Sequence, residues 1–260
     1  MTVVVALAGR DAMVLASDSQ ETTGQIKATT EKLRLVGDRM AWGGAGDAAL
    51  IHRVAAEHAA IEASLASERW AVASAIGDVT RPVQLDGRDS HIAFGNAPPP
   101  MFAGIFCWYD PDETPCIWQV APNAASSQFR SRKAAIGSGQ PSAEVALASV
   151  AHLRVHELDL ERLQMVAWKS VFDVITTSAY GVDFPIRLAV IQPGSARVLN
   201  ADESSAVRDS VNAWLERQRD VLGALAEVSA PESESAEASA SGGGHESDVG
   251  IEPPPLGSAE

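Results

Sequence analysis

The first 18 residues constrain the fold of this chain more than any other stretch. Residues 3–8 and 12–17 are apolar and rich in β-branched side chains, which is typical of buried strands. Gly9-Arg10-Asp11 lies between them and has the composition of a turn. Because the two strands are similar in length, an antiparallel hairpin brings Asp18 back beside Thr2. We therefore expect a buried hairpin that holds a carboxylate next to the start of the chain.

Thr2 directly follows the initiator Met. A small residue in this position favours removal of Met1, and the chain would then begin with a Thr that carries a hydroxyl and a free α-amine. Such an amine titrates at about pH 8, so it can act as a general base at neutral pH. Thr with an N-terminal amine is a recognised nucleophile–base pair. Many chains begin with Met-Thr, however, so this feature alone does not indicate an enzyme.

Lys32 is the candidate cation for Asp18. A Lys paired with this acid would stay charged and would lower the pKa of the Thr2 hydroxyl and amine. Taken singly, Lys32 is better explained as a solvated surface charge, and Asp18 as an acid in a turn.

Taken together, these residues resemble a known family. The order Thr2, apolar hairpin, Ala16-Ser17-Asp18, Gly24 and Lys32 is similar to the start of proteasome β-subunits and of the peptidase subunit of the bacterial two-component ATP-dependent protease. Both are N-terminal-nucleophile hydrolases. The resemblance implies an α+β fold, a four-layer αββα sandwich in which two antiparallel sheets lie between helix layers. It also implies threonine peptidase activity and assembly into rings.

The resemblance assigns roles to the first residues of the chain. Thr2 would be the nucleophile, Lys32 the cation that tunes it, and Asp18 the acid that positions Lys32. The segment from Gly24 to Lys32 is shorter than in the family, which leaves Lys27 as the alternative cation.

A glycine-rich stretch, Gly43-Gly44-Ala45-Gly46-Asp47, stands between a predicted strand and an Ala-rich helical pattern over residues 48–76. Backbone N–H groups at such a turn suit an oxyanion, although an ordinary strand-to-helix turn explains the same residues. The family keeps its oxyanion glycine in this region. The resemblance therefore implies that Gly43 or Gly44 donates to the oxyanion.

Two later segments also match the family. Ile136-Gly137-Ser138-Gly139 resembles its Ile-Gly-Ser-Gly motif, which implies that Ser138 bonds the terminal amine. A helical pattern over residues 158–177 ends where the family places an acid and a hydroxyl that fix the terminus, so Asp173 and Thr176 are the candidates there. Residues 81–100, with four prolines and two glycines, are expected to form a long loop.

Composition limits the remaining classes of function. The net charge is −14, which argues against a nucleic-acid-binding protein, and no segment has the length and hydropathy of a membrane span or a signal peptide. Two cysteines are too few for a disulfide framework or a metal site, which favours a reducing, cytoplasmic location. No cofactor or metal is expected.

The charge is unevenly distributed along the chain. Residues 227–260 hold eight acidic residues and no Lys or Arg, and they are rich in Ser, Gly and Pro. Such a segment cannot bury enough apolar surface to fold. The sequence thus predicts one domain over residues 1–226 and a disordered acidic tail over residues 227–260.

The favoured function is an N-terminal threonine endopeptidase that degrades proteins or peptides inside a homo-oligomeric ring, with an ATPase unfoldase as the partner that the resemblance implies. Two alternatives remain open. One is a non-catalytic ring or scaffold subunit of the same fold, and the other is an N-terminal-nucleophile amidohydrolase that acts on small amides.

Overall fold

The computed structural model describes residues 2–23, 26–94, 101–122, 127–177 and 182–229, without the side chains of residues 21–28, 90, 93–94 and 225–229. Two compact units divide the chain, residues 1–217 and residues 218–260. The strands are β1 (Val4–Ala8), β2 (Met13–Ser17), β3 (Gln20–Thr23), β4 (Ile26–Thr29), β5 (Leu33–Val36), β6 (Met40–Gly46), β7 (Phe102–Tyr109), β8 (Pro115–Val120), β9 (Gln128–Arg130), β10 (Lys133–Ile136), β11 (Arg187–Gln192) and β12 (Ser195–Val198). The helices are α1 (Ala48–Ala56), α2 (His58–Ser64), α3 (Arg69–Phe94), α4 (Gln140–Ser149), α5 (Leu160–Thr177) and α6 (Ala201–Ser229).

Two antiparallel sheets of five strands form the centre of the first unit. In the first sheet the strand order is β10-β1-β2-β11-β12, and in the second it is β5-β6-β7-β8-β9. The predicted N-terminal hairpin is present, because Val4 pairs with Ser17 and Ala8 with Met13. A separate two-stranded ribbon, β3–β4, follows the hairpin.

Apolar side chains on both faces of β1 explain why its sequence is continuously hydrophobic. All five of its residues are buried. Val5 and Leu7 pack into a cluster with α4 and α5, whereas Val4 and Ala6 point into a second cluster shared with the second sheet. Successive side chains of a strand point to opposite faces, so β1 contributes to two cores at once.

The other face of the second sheet is covered by helices in the same way. Trp42, Phe106 and Trp108 pack against Val54, Ile76 and other apolar residues of α1, α2 and α3. Helices therefore lie outside both sheets, and one apolar layer lies between the sheets. The predicted αββα sandwich is confirmed.

The loop predicted over residues 81–100 is wrong for most of its length, because α3 continues to Phe94 and contains Pro82. Proline disfavours a helix interior, since it lacks the N–H that would bond the carbonyl four residues earlier. Here Val79 and Val83 continue the apolar stripe that packs on the second sheet. Gln84 adds two bonds from its amide, to the carbonyls of Phe102 and Ala121. Residues 95–100 lie outside the described ranges.

The final helix, α6, continues to Ser229, so the first residues assigned to the acidic tail are helical. Residues 230–260, the rest of that predicted tail, lie outside the described residues. Within the described ranges, no helix combines the length and the hydropathy needed to cross a membrane.

Candidate active site

The N-terminal hairpin positions Asp18 directly behind the first residues of the chain. Because Val4 pairs with Ser17, the residue after β2 lies beside the residue before β1. The N–H of Val3 donates to Asp18 Oδ1 at 2.9 Å, and the N–H of Asp18 donates to the Val3 carbonyl at 3.3 Å. Asp18 is therefore fixed to the peptide that follows Thr2.

Lys32 meets Asp18 from the other sheet. It immediately precedes β5, and its Nζ lies 2.8 Å from Asp18 Oδ1 and 2.7 Å from Oδ2. The side chain of Asp18 is fully buried and that of Lys32 is 6% exposed. This ion pair joins the ends of the two sheets beneath the start of the chain.

The environment of Asp18 acts on its pKa in two directions. Burial raises the pKa above its ordinary value, because a charged carboxylate loses its hydration there. The charge and hydrogen bonds of Lys32 oppose this rise, as do the N–H groups of Val3 and Gln20. The charged state of Asp18 thus depends on all of these donors together. Lys32 is the only charged donor among them in the described part of the chain.

A turn after β10 approaches Thr2 from the opposite side. Ile136 pairs with Val4, which carries the following Gly137-Ser138-Gly139 to the start of the chain. The backbone N–H of Thr2 donates to Ser138 Oγ at 3.0 Å, and the N–H of Gly139 donates to the Thr2 carbonyl at 3.1 Å. Gly137 has a φ of +94°, and a Cβ at this position would collide with the Thr2 carbonyl oxygen. Only glycine fits this turn without displacing Thr2.

A cavity of about 430 Å³ opens beside Thr2. It lies where β6, β7, β8 and β10 end or begin, so both sheets contribute to its wall. The lining residues are Thr2, Ala45, Gly46, Met101, Ala103, Gln119, Pro122, Ile136, Gly137, Ser138 and Gln140. A molecule bound in this cavity would contact Thr2 directly.

The two glycines predicted for the oxyanion lie inside β6, away from this lining. Gly43 pairs with Leu33 and Ile105, while the N–H of Gly44 donates to the Lys32 carbonyl at 3.4 Å. Gly46, the last residue of the strand, lines the cavity instead. Its φ of +117° turns the chain toward α1, which Asp47 caps by accepting the N–H groups of Ala49 and Leu50.

Asp173 and Thr176 are engaged elsewhere. The Asp173 carboxylate lies 2.7 Å from Lys169 Nζ on the same helix. The Thr176 hydroxyl donates to backbone carbonyls of α5 one turn earlier, those of Phe172 and Asp173. The structure therefore brings together Thr2, Asp18, Lys32 and Ser138. Asp173 pairs with Lys169 instead.

Sequence reasoning passed over three residues of this region. Met101 and Gln119 line the cavity, and Gly46 ends β6 there. Gln119 is the penultimate residue of the largely apolar β8, and its Oε1 is buried without a donor among the described residues. An amide in such a strand was the one available signal for it. Among the described residues, no group of three or more His, Cys, Asp or Glu side chains has the arrangement of a metal site.

Comparison with known proteins agrees with the fold. The family model for proteasome subunits matches residues 2–185. Among solved structures, the Gly-1 mutant of Anbu from Hyphomicrobium sp. strain MC1 superposes with a TM-score of 0.65 and 20% identity, over 86% of this chain and 97% of that one. No curated protein matches the sequence significantly. At this identity the superposition shows the shared fold, and the family model covers well over half of the sequence. The chain belongs to the proteasome subunit family.

Proposed function

We propose that the chain is a threonine-type endopeptidase whose nucleophile is Thr2, exposed by removal of Met1. The observation that carries this proposal is the buried Asp18–Lys32 pair, which is bonded to the peptide directly after Thr2. A buried ion pair is expensive to desolvate and adds little net stability. A role in catalysis therefore explains the position of this pair beneath a potential nucleophile better than a contribution to stability does.

In the proposed reaction, Thr2 Oγ attacks the carbonyl carbon of the scissile peptide. The α-amine of Thr2 takes the hydroxyl proton and passes it to the leaving amine, and the peptide bond breaks to give an ester on Thr2. Water then hydrolyses the ester. Ser138, which already bonds the Thr2 nitrogen, would orient the amine, and Lys32 would supply the positive charge next to the nucleophile.

The oxyanion requires at least one N–H donor near Thr2. The N–H groups of a strand alternate in direction, so Gly46 follows Gly44 on the side that faces β5. Since β5 begins only at Leu33, the N–H of Gly46 lies beyond its end, and Gly46 lines the cavity. We assign the donor to Gly46 in preference to Gly43 or Gly44.

Two measurements on one preparation test the function. Intact mass spectrometry should show a chain that begins at Thr2, and an epoxyketone directed at N-terminal Thr should add to that residue. Fluorogenic peptides should be hydrolysed by the wild type and not by Thr2→Ala. Retention of Met1 on purified, peptide-hydrolysing protein would refute the mechanism, and turnover of small amides but not peptides would favour an amidohydrolase.

Subunits of this family usually form rings, and we propose a homo-oligomeric ring for this chain, with the peptidase sites inside. A sequestered chamber would give such a protease access only to unfolded chains. An ATPase unfoldase is then the partner that would deliver substrates.

A further inference from the structure

The cavity beside Thr2 has an uncharged, largely apolar lining that the proposed reaction does not explain. Among the described residues that line it, none has an ionisable side chain. Ala45, Met101, Ala103, Pro122 and Ile136 supply an apolar wall. Two amides, from Gln119 and Gln140, supply the larger polar groups. A charged group that entered this cavity would lose hydration without finding an opposite charge on the described lining side chains.

The position of the cavity relative to Thr2 decides which half of a substrate reaches it. Ser138 lines the cavity and accepts the bond from the Thr2 nitrogen, so the cavity lies on the nitrogen side of Thr2. Asp18 and Lys32 lie on the other side, behind the Val3 peptide, and neither lines the cavity. The proton of the leaving amine comes from the Thr2 nitrogen in the proposed reaction. The leaving half of the peptide must therefore lie beside that nitrogen.

The pairing of the strands fixes the floor of the cavity. Ala45 and Ala103 are directly opposite each other in the β6–β7 pair, so their methyl groups share one face. A Cβ on Gly137 would lie 3.4 Å from the Ala45 Cβ, which places Ala45 next to the turn that holds Thr2. Small side chains in these two positions leave the space open. Met101, 54% exposed, stands at its mouth.

We propose that this cavity binds the side chain of the substrate residue directly C-terminal to the scissile bond, and that it selects an uncharged, apolar side chain there. The inference rests on the proposed peptidase function and adds a specificity that the function does not require. It makes Met101 and Ala103 specificity-determining residues for the leaving half of the substrate.

A series of internally quenched peptides tests the selection. The peptides share one sequence and differ only in the residue after the scissile bond, which is Leu, Ala, Asp or Lys, with the cleavage position verified by mass spectrometry. We expect kcat/KM for the Leu peptide to exceed that for the Asp or Lys peptide about tenfold or more. Gaining a methylene group in an apolar pocket, or burying a charge there, changes kcat/KM by about this factor. Ala should be intermediate.

Two variants and a matched control connect the preference to the cavity. Met101→Ala removes an exposed side chain from the mouth, so it should fold normally and lower the Leu-to-Lys ratio several-fold. Ala103→Leu fills the floor and should reduce cleavage of the Leu peptide more than that of the Ala peptide. Val145→Ala truncates a comparably exposed apolar residue on α4 that does not line the cavity, and it should leave all ratios unchanged.

The outcomes separate the two proposals. Equal kcat/KM for the four peptides, or the same ratios in Met101→Ala as in the wild type, would overturn the cavity assignment while the peptidase stands. A preference for Asp or Lys would overturn it as well. Absence of hydrolysis for every peptide, together with no epoxyketone adduct on Thr2, would overturn the peptidase and this inference with it.

Discussion

At the scale of single residues, removal of Lys32 should lower both stability and activity, and the two effects can be measured separately. Lys32→Ala leaves the Asp18 carboxylate buried without its cation. Breaking a buried pair in this way costs about 3–5 kcal/mol of unfolding free energy. If Lys32 also tunes Thr2, kcat should fall by roughly 10²–10⁴ even at temperatures where the variant is folded. Urea unfolding and peptide hydrolysis on the same sample measure the two effects.

A double variant and a neighbouring lysine serve as controls for Lys32. Asp18→Asn with Lys32→Met removes both charges, so it should recover much of the stability and none of the activity. Lys27→Ala should keep full activity; the Lys27 side chain lies outside the described residues, so this variant tests the alternative that the sequence left open. An inactive Lys27→Ala beside an active Lys32→Ala would make Lys27 the cation.

The site itself requires glycine at position 137. Ala in its positive-φ conformation costs about 1–2 kcal/mol anywhere in a chain. At Gly137 the new Cβ also meets the Thr2 carbonyl, so Gly137→Ala should move Thr2 and abolish most hydrolysis. Gly194 has a φ of +77° in the β11–β12 turn, with open space around an added Cβ. Gly194→Ala should show only the loss of stability that comes from backbone strain, with normal hydrolysis, and equal activity of the two variants would contradict the role of Gly137.

At the scale of secondary-structure elements, α2 is joined to the second sheet by a bond that depends on pH. The indole N–H of Trp42 in β6 donates to His58 Nε2 at 2.7 Å, which requires a neutral imidazole. Burial lowers the pKa of His58, and the positive charge of Arg34 lowers it further. The unfolded chain therefore takes up a proton below about pH 6.5, while the folded chain resists it.

The sign of this effect predicts a loss of stability as the pH falls below about 6.5, ending at the lowered pKa of the folded state. The denaturant midpoint of the wild type should be lower at pH 5.5 than at pH 7.5. His58→Gln should remove part of that decrease. His52→Gln changes an exposed histidine on α1 and should leave the decrease intact. A wild-type midpoint that rises toward pH 5.5 would contradict the assignment.

At the scale of the whole molecule, the sandwich is complete within residues 1–217, and seven of the eight acidic residues of the tail lie beyond Ser229. We predict that the chain shortened after Ser229 keeps the thermal unfolding midpoint and the peptide hydrolysis of the full chain. Light scattering should show both forms as oligomers of the same number of subunits. A monomeric full chain at micromolar concentration would refute the ring, and an oligomer lost only on shortening would place the tail in the assembly.

The sequence by itself determined the parts of the site that lie close together along the chain. The N-terminal hairpin brings Asp18 to the start of the chain because pairing of two short adjacent strands is a local event, readable from apolar runs and a turn. The Gly137-Ser138-Gly139 turn was recognisable as a motif. The acidic composition of residues 227–260 was equally plain, although the helix extends into its first three residues.

Only the tertiary structure decided the contacts between remote segments. Lys32 reaches Asp18 because the second sheet stacks on the first, and Gly46 reaches the cavity because β6 continues past the end of β5. Pro82 stays helical because packing of α3 on the second sheet outweighs local propensity. Packing of the two sheets sets these distances, and it depends on side chains far apart in sequence.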